Sequence, residues 1–238
     1  MILELLISQY NEDEFIIKPM LDSIAIQQGV DFNDINVIIA NDGSDVILSD
    51  NFLSHYKFNI SYYKDKHRGL SGNRNFLLDS TGGEYIMFCD ADDMFLRVDA
   101  LNLIMSKIKQ GEFDLLYSPF VVERINSTGD YFYFDFFECN VHGKVIRRQF
   151  LLDNNIRWND KLVKHDSRYF FTLCENYVDK KSDRFIECKT PFYLWKYNKN
   201  SITKQNDNYF LKTWDYFNLS VECIVEELLN RRYYIAAA

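Results

Sequence analysis

Proline and glycine are scarce here, 3 and 9 in 238 residues, which excludes collagen-like repeats, proline-rich linkers and low-complexity tracts. The five cysteines, Cys89, Cys139, Cys174, Cys188 and Cys223, are odd in number and scattered without a C-x-x-C pair. A disulfide framework and a structural zinc site are therefore not expected, and the thiols read as reduced and mostly buried. No apolar run approaches the roughly 20 residues of a membrane span. The first apolar stretch, Ile2 to Ile7, carries Glu4 and lacks a basic leader, so it does not read as a signal peptide. Basic residues are not in excess: 27 against 35 acidic give a net charge of −8, which argues against a nucleic-acid backbone as partner.

Hydrophobic residues, by contrast, make up 47% and aromatic residues 16% of the chain, enough for one substantial core. The expectation is one catalytic domain over residues 1–205, an amphipathic helix over 206–235 packed on it or on a second copy, and a patternless Ala236-Ala237-Ala238 read as a cloning scar. A cytoplasmic chain, at most peripheral to a membrane, is the expected setting.

The stretch Glu84 to Phe95 organises the reading, because the apolar run Tyr85-Ile86-Met87-Phe88-Cys89 breaks abruptly into Asp90, Asp92 and Asp93. A buried strand that delivers carboxylates to its carboxyl end places them where open α/β sheets bind ligands. Neighbouring carboxylates repel unless compensated, and a hard divalent ion with diphosphate oxygens is the natural compensator. An acidic turn closing a strand is the plainer reading of an isolated Asp-x-Asp.

Upstream, Ile2 to Ser8 reads as a strand, followed by a helix capped by Asn11 whose apolar face is Phe15, Ile16, Met20, Leu21 and Ile24. A second, nearly continuously apolar strand, Ile35 to Ala40, empties into Asn41-Asp42-Gly43-Ser44, on the same sheet edge as the first. After a third strand near Ile60 to Tyr63 comes His67-Arg68-Gly69-Leu70-Ser71-Gly72-Asn73-Arg74-Asn75, whose glycines and following helix start suit an anion. Arg74 adds a cation for a phosphate or a base carbonyl; a surface salt bridge is its bland alternative.

In this order, Ile7-Ser8-Gln9-Tyr10-Asn11-Glu12, Asn41-Asp42-Gly43-Ser44, Gly69 to Asn75, Gly83-Glu84-Tyr85-Ile86 and Asp90-Ala91-Asp92-Asp93 resemble the family 2 glycosyltransferases, inverting nucleotide-sugar enzymes of the GT-A fold. The resemblance runs from about Ile2 to Phe95 and resumes after Arg147. It implies a mostly parallel sheet flanked by helices, with Mn²⁺ or Mg²⁺ as cofactor, a nucleotide-sugar donor, expected to be uridine-linked, and a carbohydrate or other hydroxyl acceptor. By position it implies that Tyr10 and Glu12 lie against the nucleoside, Asp42 on the base, Arg74 on the base or diphosphate, and Asp90 near the ribose. Asp92 would hold the metal. The chain departs from the family pattern at Ser8, where proline is usual, and at Asn41, where an aspartate is usual.

Further on, Ala100 to Ile108 reads as a helix and Asp114 to Val122 as one strand, while the aromatic run Tyr131 to Phe137 reads as core before acceptor wall or oligomer contact. Lys164-His165-Asp166 opens another helix, with Asp166 favoured there as a cap. The resemblance makes Asp166 the base that deprotonates the acceptor, with His165 as a neighbour that tunes it or replaces it. Lys196, Lys199, Ser201 and Lys204 fall in a late strand and loop similar to the one that closes over the donor. A sugar-1-phosphate nucleotidyltransferase and a non-catalytic carbohydrate-binding protein are the rival readings. Against the first, the opening strand ends in Tyr10-Asn11-Glu12 and not in a Gly-rich phosphate loop.

Overall fold

A computed structural model describes residues 2–136, 140–199 and 209–237, with side chains of the last helix described over 214–231. Strand β1 (Leu3–Gln9), helix α1 (Glu14–Ala25), strand β2 (Ile35–Asp42), the short helix α2 (Asp50–Leu53), strand β3 (Asn59–Asp65), helix α3 (Gly69–Ser80) and strand β4 (Tyr85–Asp90) build the first half. The second half adds β5 (Met94–Phe95), α4 (Ala100–Gln110), β6 (Leu115–Tyr117), β7 (Phe120–Ile125), β8 (Tyr131–Phe136), β9 (Lys144–Arg147), α5 (Arg148–Asp153), α6 (Asp166–Tyr177), β10 (Phe185–Glu187), β11 (Tyr193–Trp195) and α7 (Tyr209–Ala237).

Seven strands form one sheet in the order β10-β6-β9-β4-β1-β2-β3, and β5-β11-β7-β8 form a second. In the large sheet β3, β2, β1 and β4 are parallel, while β9 is antiparallel to both β4 and β6. The near-continuous apolar runs of β1, β2 and β4 are explained by burial on both faces. Alternation sorts their side chains. Leu3, Leu5, Ile7, Val37, Ile39, Met87 and Cys89 pack with α1 and α4, whereas Leu6, Ile38, Ile86 and Phe88 pack with residues of α3, α5 and α6. Each such fully buried Leu, Ile or Phe contributes roughly 1.5–3 kcal/mol.

Register then aligns the carboxyl ends: Ser8 faces Asp90 across β1–β4, Gln9 faces Asn41 across β1–β2, and Asp42 faces Asp65 across β2–β3. The acidic strand ends that the sequence sets far apart thus share one edge.

Several local expectations are corrected. The cap of α1 is Asp13, whose Oδ1 accepts from the Ile16 amide at 2.9 Å; Asn11 takes a positive φ of 68° in the loop before it. The inward face of that helix is consequently Ile17, Met20, Leu21 and Ile24, and Phe15 is exposed. The expected strand over 114–122 is two strands, β6 and β7, in different sheets. Pro119 falls between them, where a residue without an N–H suits a break in the ladder. The aromatic run is not core: Tyr131, Phe132, Tyr133 and Phe134 are exposed on β8, an edge strand, and Phe137 lies outside the described residues.

Cys89, Cys174 and Cys223 are buried free thiols and Cys188 is half-buried, while Cys139 is outside the described residues. Helix α7 packs on α6, with Ser220 and Cys223 buried and Leu219, Ile224 and Leu228 against the second core cluster. Among the described residues no helix is long and apolar enough to cross a membrane.

Candidate active site

The β1 and β2 ends come first. Tyr10 follows β1 and its ring lies 4.8 Å from the His67 ring, which stands on the loop before α3. Asp42, at the end of β2, is buried; its Oδ1 accepts the Arg68 amide at 2.6 Å and its Oδ2 is 3.0 Å from His67 Nδ1. The departure at Asn41 has a structural reason. Its Oδ1 accepts the Ser44 amide at 2.8 Å while its Nδ2 donates to the Val46 carbonyl at 2.9 Å, and a carboxylate could not make the second bond.

Gly43 completes this turn at φ 70°, where an added Cβ would stand 2.3 Å from the His67 backbone nitrogen. Gly43→Ala is therefore expected to cost at least about 1–2 kcal/mol from the left-handed backbone alone. Urea denaturation checks this; a variant as stable as the parent would refute it.

Beside them lies Glu12, whose Oε2 accepts the Tyr10 amide at 2.5 Å. Burial raises the Glu12 carboxyl to about 7, with Asp92 and Asp90 adding repulsion.

At the centre stands Arg74, for which the sequence offers a phosphate or base contact, with a surface salt bridge as the bland alternative. It is 3% exposed. Its Nη1 donates to Asp166 Oδ2 at 2.6 Å and its Nη2 to Asp90 Oδ1 at 2.8 Å, so one guanidinium bridges the β4 end to the α6 start. Its carbon lies 4.5 Å from the Trp158 ring, which stacks on Phe170 at 4.1 Å. Burial would raise Asp90, but Arg74 and His142 outweigh it and hold that carboxyl well below its ordinary value. Asp166 is raised, because burial there outweighs the same Arg74. Asp166 is the first residue of α6 and not its cap, that position belonging to His165 at φ 58°. The His165 ring packs edge-on to Phe217 of α7, 5.8 Å away, and Arg74 is seated on Asp166.

Sequence reasoning missed His142. It is 4% exposed, and its Nε2 stands 3.2 Å from Asp93 Oδ2 and 3.4 Å from Asp90 Oδ2. Trp195 stacks on it at 4.9 Å with Phe120 and Tyr193 alongside. The two carboxylates overcome burial and raise the imidazole, while burial raises Asp93. The only sequence signal was a lone Val141-His142-Gly143 in the uninformative middle of the chain.

Asp92 is raised by burial and by Asp90, and accepts from Asn198 Nδ2 at 2.7 Å. Lys196 reaches the cluster through its backbone, its amide donating to Asp93 Oδ1 at 2.9 Å. Ser201 and Lys204 lie outside the described residues. Asp90, Asp93 and His142 form a group whose ligand atoms lie within 4.8 Å of one another, a set able to hold a cation; Asp92 is not in it.

Carboxylates from β2 and β4 and a buried aspartate from α6 thus surround one sheet edge, and comparison says what they belong to. The profile of the family described as "Glycosyl transferase family 2" matches residues 5–171. The chain belongs to that family.

Among relatives of this family 2 chain, the glycosyltransferase GlyA of Streptococcus pneumoniae is 26% identical over 147 residues, 61% of this chain and 20% of GlyA. The minor teichoic acid biosynthesis protein GgaB of Bacillus subtilis is 34% identical over 84 residues, 34% of this chain and 9% of GgaB. The chain therefore spans a minor part of each. Among solved structures, S. aureus TarS in complex with UDP-GlcNAc aligns with TM-score 0.68 at 18% identity, over 87% of this chain and 61% of that one. The mannosyltransferase PcManGT of Pyrobaculum calidifontis, in complex with GDP-Man and Mn²⁺, gives 0.59 at 14%, over 84% of this chain and 58% of that one. These likenesses show a mixed α/β domain of the GT-A type.

Proposed function

We propose that this chain moves a sugar from a nucleotide-diphosphate donor to an acceptor hydroxyl with inversion, Asp166 taking the acceptor proton. The observation that carries this is the Asp90–Arg74–Asp166 bridge, which fixes a raised carboxyl beside the strand ends that would hold the donor. A base whose pKa is lifted towards the working pH is better matched to proton transfer than an ordinary carboxylate. In-line attack asks for that carboxylate opposite the departing diphosphate.

Tyr10, His67 and Asp42 would receive the base, and Glu12 and Asp90 the ribose side. The uridine reading rests on TarS, which was solved with UDP-GlcNAc.

Asp90, Asp93 and His142 offer a donor set that fits a divalent cation such as Mn²⁺ or Mg²⁺, and Asp92 lies close enough to Asp90 to feel its charge. Asp92 is held above its ordinary pKa by burial and by the Asp90 charge, the condition that a hard cation relieves. Asp92 would hold it, with Asn198 orienting the carboxylate; when bound, such an ion neutralises charge developing on the diphosphate. The metal prediction follows: UDP should bind at least about tenfold tighter with Mn²⁺ than with a chelator, and Asp92→Asn should remove that difference. Calorimetry reads both, and equal parent affinities with and without Mn²⁺ would sink the metal role. Transfer itself is tested by incubating the parent protein with UDP-sugars and Mn²⁺ and detecting released UDP.

A further inference from the structure

One lysine lies wholly inside the protein. Lys144, the first residue of β9, is 2% exposed, although an ammonium is among the costliest groups to take out of water. Its strand fixes its place. Lys144 pairs in register with Tyr117 of β6, and its Nζ lies over the Tyr117, Phe120 and Phe171 rings at 4.8, 5.4 and 5.9 Å. Ring faces carry negative potential, so three of them around one ammonium offset part of its desolvation. From that cage Nζ donates to the main-chain carbonyl of His142 at 2.9 Å.

His142 is a residue whose ring needs an anchor. A histidine that serves a cation normally has its second ring nitrogen held by a hydrogen bond, which fixes the orientation of the ring. Here Nδ1 is buried and, among the described residues, has no hydrogen-bond partner. The ring is held instead from its faces, by Trp195 stacked at 4.9 Å and 16° with Phe120 and Tyr193 alongside. Stacking restrains the tilt of a ring but lets it slide in its own plane, the direction that carries Nε2 towards or away from Asp90 and Asp93. The backbone must set that distance. The Ser118 amide donates to the Gly143 carbonyl at 2.9 Å, and Gly143 takes a φ of 67° so close to Ser118 that an added Cβ would stand 2.8 Å from the Ser118 carbonyl oxygen. Between this fixed turn and the imidazole lies the His142 carbonyl, which Lys144 holds.

We infer that Lys144 is a positioning residue for the cation site, setting the His142 imidazole against Asp90 and Asp93 by holding its main-chain carbonyl. The inference rests on the cation reading of this cluster given above and adds a residue that acts through His142. The charge of the ammonium by itself opposes a divalent cation. The two roles open to Lys144 therefore have opposite signs: loss of an anchor weakens cation binding, whereas loss of a buried like charge strengthens it.

The test is Lys144→Met in the full chain, which keeps an unbranched side chain among the three rings. Urea unfolding in chelator establishes that the variant is folded, and calorimetry then gives its UDP affinity with chelator and with Mn²⁺. With chelator the affinity should stay at the parent's. The tightening by Mn²⁺ should shrink at least about tenfold, the lower end of the cost of removing a group that orients a metal ligand. His142→Ala should shrink it likewise, and adding Lys144→Met to His142→Ala should shrink it no further, because the lysine acts through that ring. A folded Met variant whose Mn²⁺ effect is undiminished or larger overturns the proposal, leaving Lys144 a buried charge that opposes the cation. It is also overturned if His142→Ala leaves the Mn²⁺ effect intact, or if the double variant loses more than His142→Ala alone. A Met variant that does not fold overturns it too, since Lys144 is then a residue the core itself requires. A parent protein whose UDP affinity ignores Mn²⁺ overturns the cation reading, and the role of Lys144 with it.

Discussion

Asp166→Asn is expected to lower sugar transfer at least roughly 100-fold, because a positioned general base contributes about 10²–10⁴-fold. Donor affinity should stay close to the parent's, since the base acts only as the proton moves. The surroundings make this substitution informative about chemistry and not about folding. Asn keeps an oxygen that can accept from Arg74 Nη1, and Arg74 keeps Asp90 as its counter-ion, so no buried charge is left alone. The pH dependence supplies a second readout. Burial raises Asp166 above an ordinary carboxyl, and a base works only when deprotonated. Transfer should therefore fall as pH drops through that raised pKa, and this acid limb should be missing from the residual activity of the Asn variant. His165→Ala should cost less, its ring being on Phe217 of α7. Near-parent transfer by the Asn variant would end the assignment, as would joint loss of donor binding and folding.

What was legible in the sequence is what short-range pattern encodes. The apolar runs of β1, β2 and β4 and the acidic residues that end β2 and β4 predict a parallel sheet with a charged edge, and the order of the motifs predicts the family. Patterns of this kind lie within some ten residues of each other, so a single chain shows them. The exposure of the aromatic strand β8 is not legible in the sequence for a physical reason: an aromatic run is equally compatible with core and with an exposed edge, and only its place at the margin of the second sheet decides.

His142 was invisible because its role is entirely long-range. It stands 52 positions from Asp90, and nothing in its own short stretch of sequence points to those carboxylates. The strand β9 that follows it must run antiparallel beside β4 before the imidazole reaches the carboxylates, and the aromatic walls come from β7 and β11. The same holds for the partnership of Arg74 with Asp166, 92 positions apart: each residue was singled out, but their contact was not foreseen, since it depends on α3 and α6 lying on one face of the sheet.

That contact sets the largest expected stability effect. Arg74→Ala should destabilise the fold by about 3–5 kcal/mol, the range seen when one partner of a buried ion pair is removed and the other charge is stranded. Here two carboxylates lose their bridge at once. Asp90 retains His142 nearby, but Asp166 is buried and has Arg74 as its nearest basic side chain among the described contacts. Loss of the guanidinium packed on Trp158 adds to the cost. Arg74→Lys should recover only part of it, because an ammonium lacks the planar fork that reaches both oxygens. The diagnostic is non-additivity. In the double variant Arg74→Ala with Asp166→Asn the stranded charge is gone, so its stability should exceed that of Arg74→Ala alone, giving a coupling energy within the roughly 0.5–3 kcal/mol seen for contacting residues. Urea unfolding of the four proteins measures this cycle. An Arg74→Ala variant within about 1 kcal/mol of the parent, the range of an exposed pair, would show that the bridge contributes no more than a surface ion pair. Additive losses in the cycle would show that Arg74 stabilises the fold through Trp158 and Asp90 and not through Asp166.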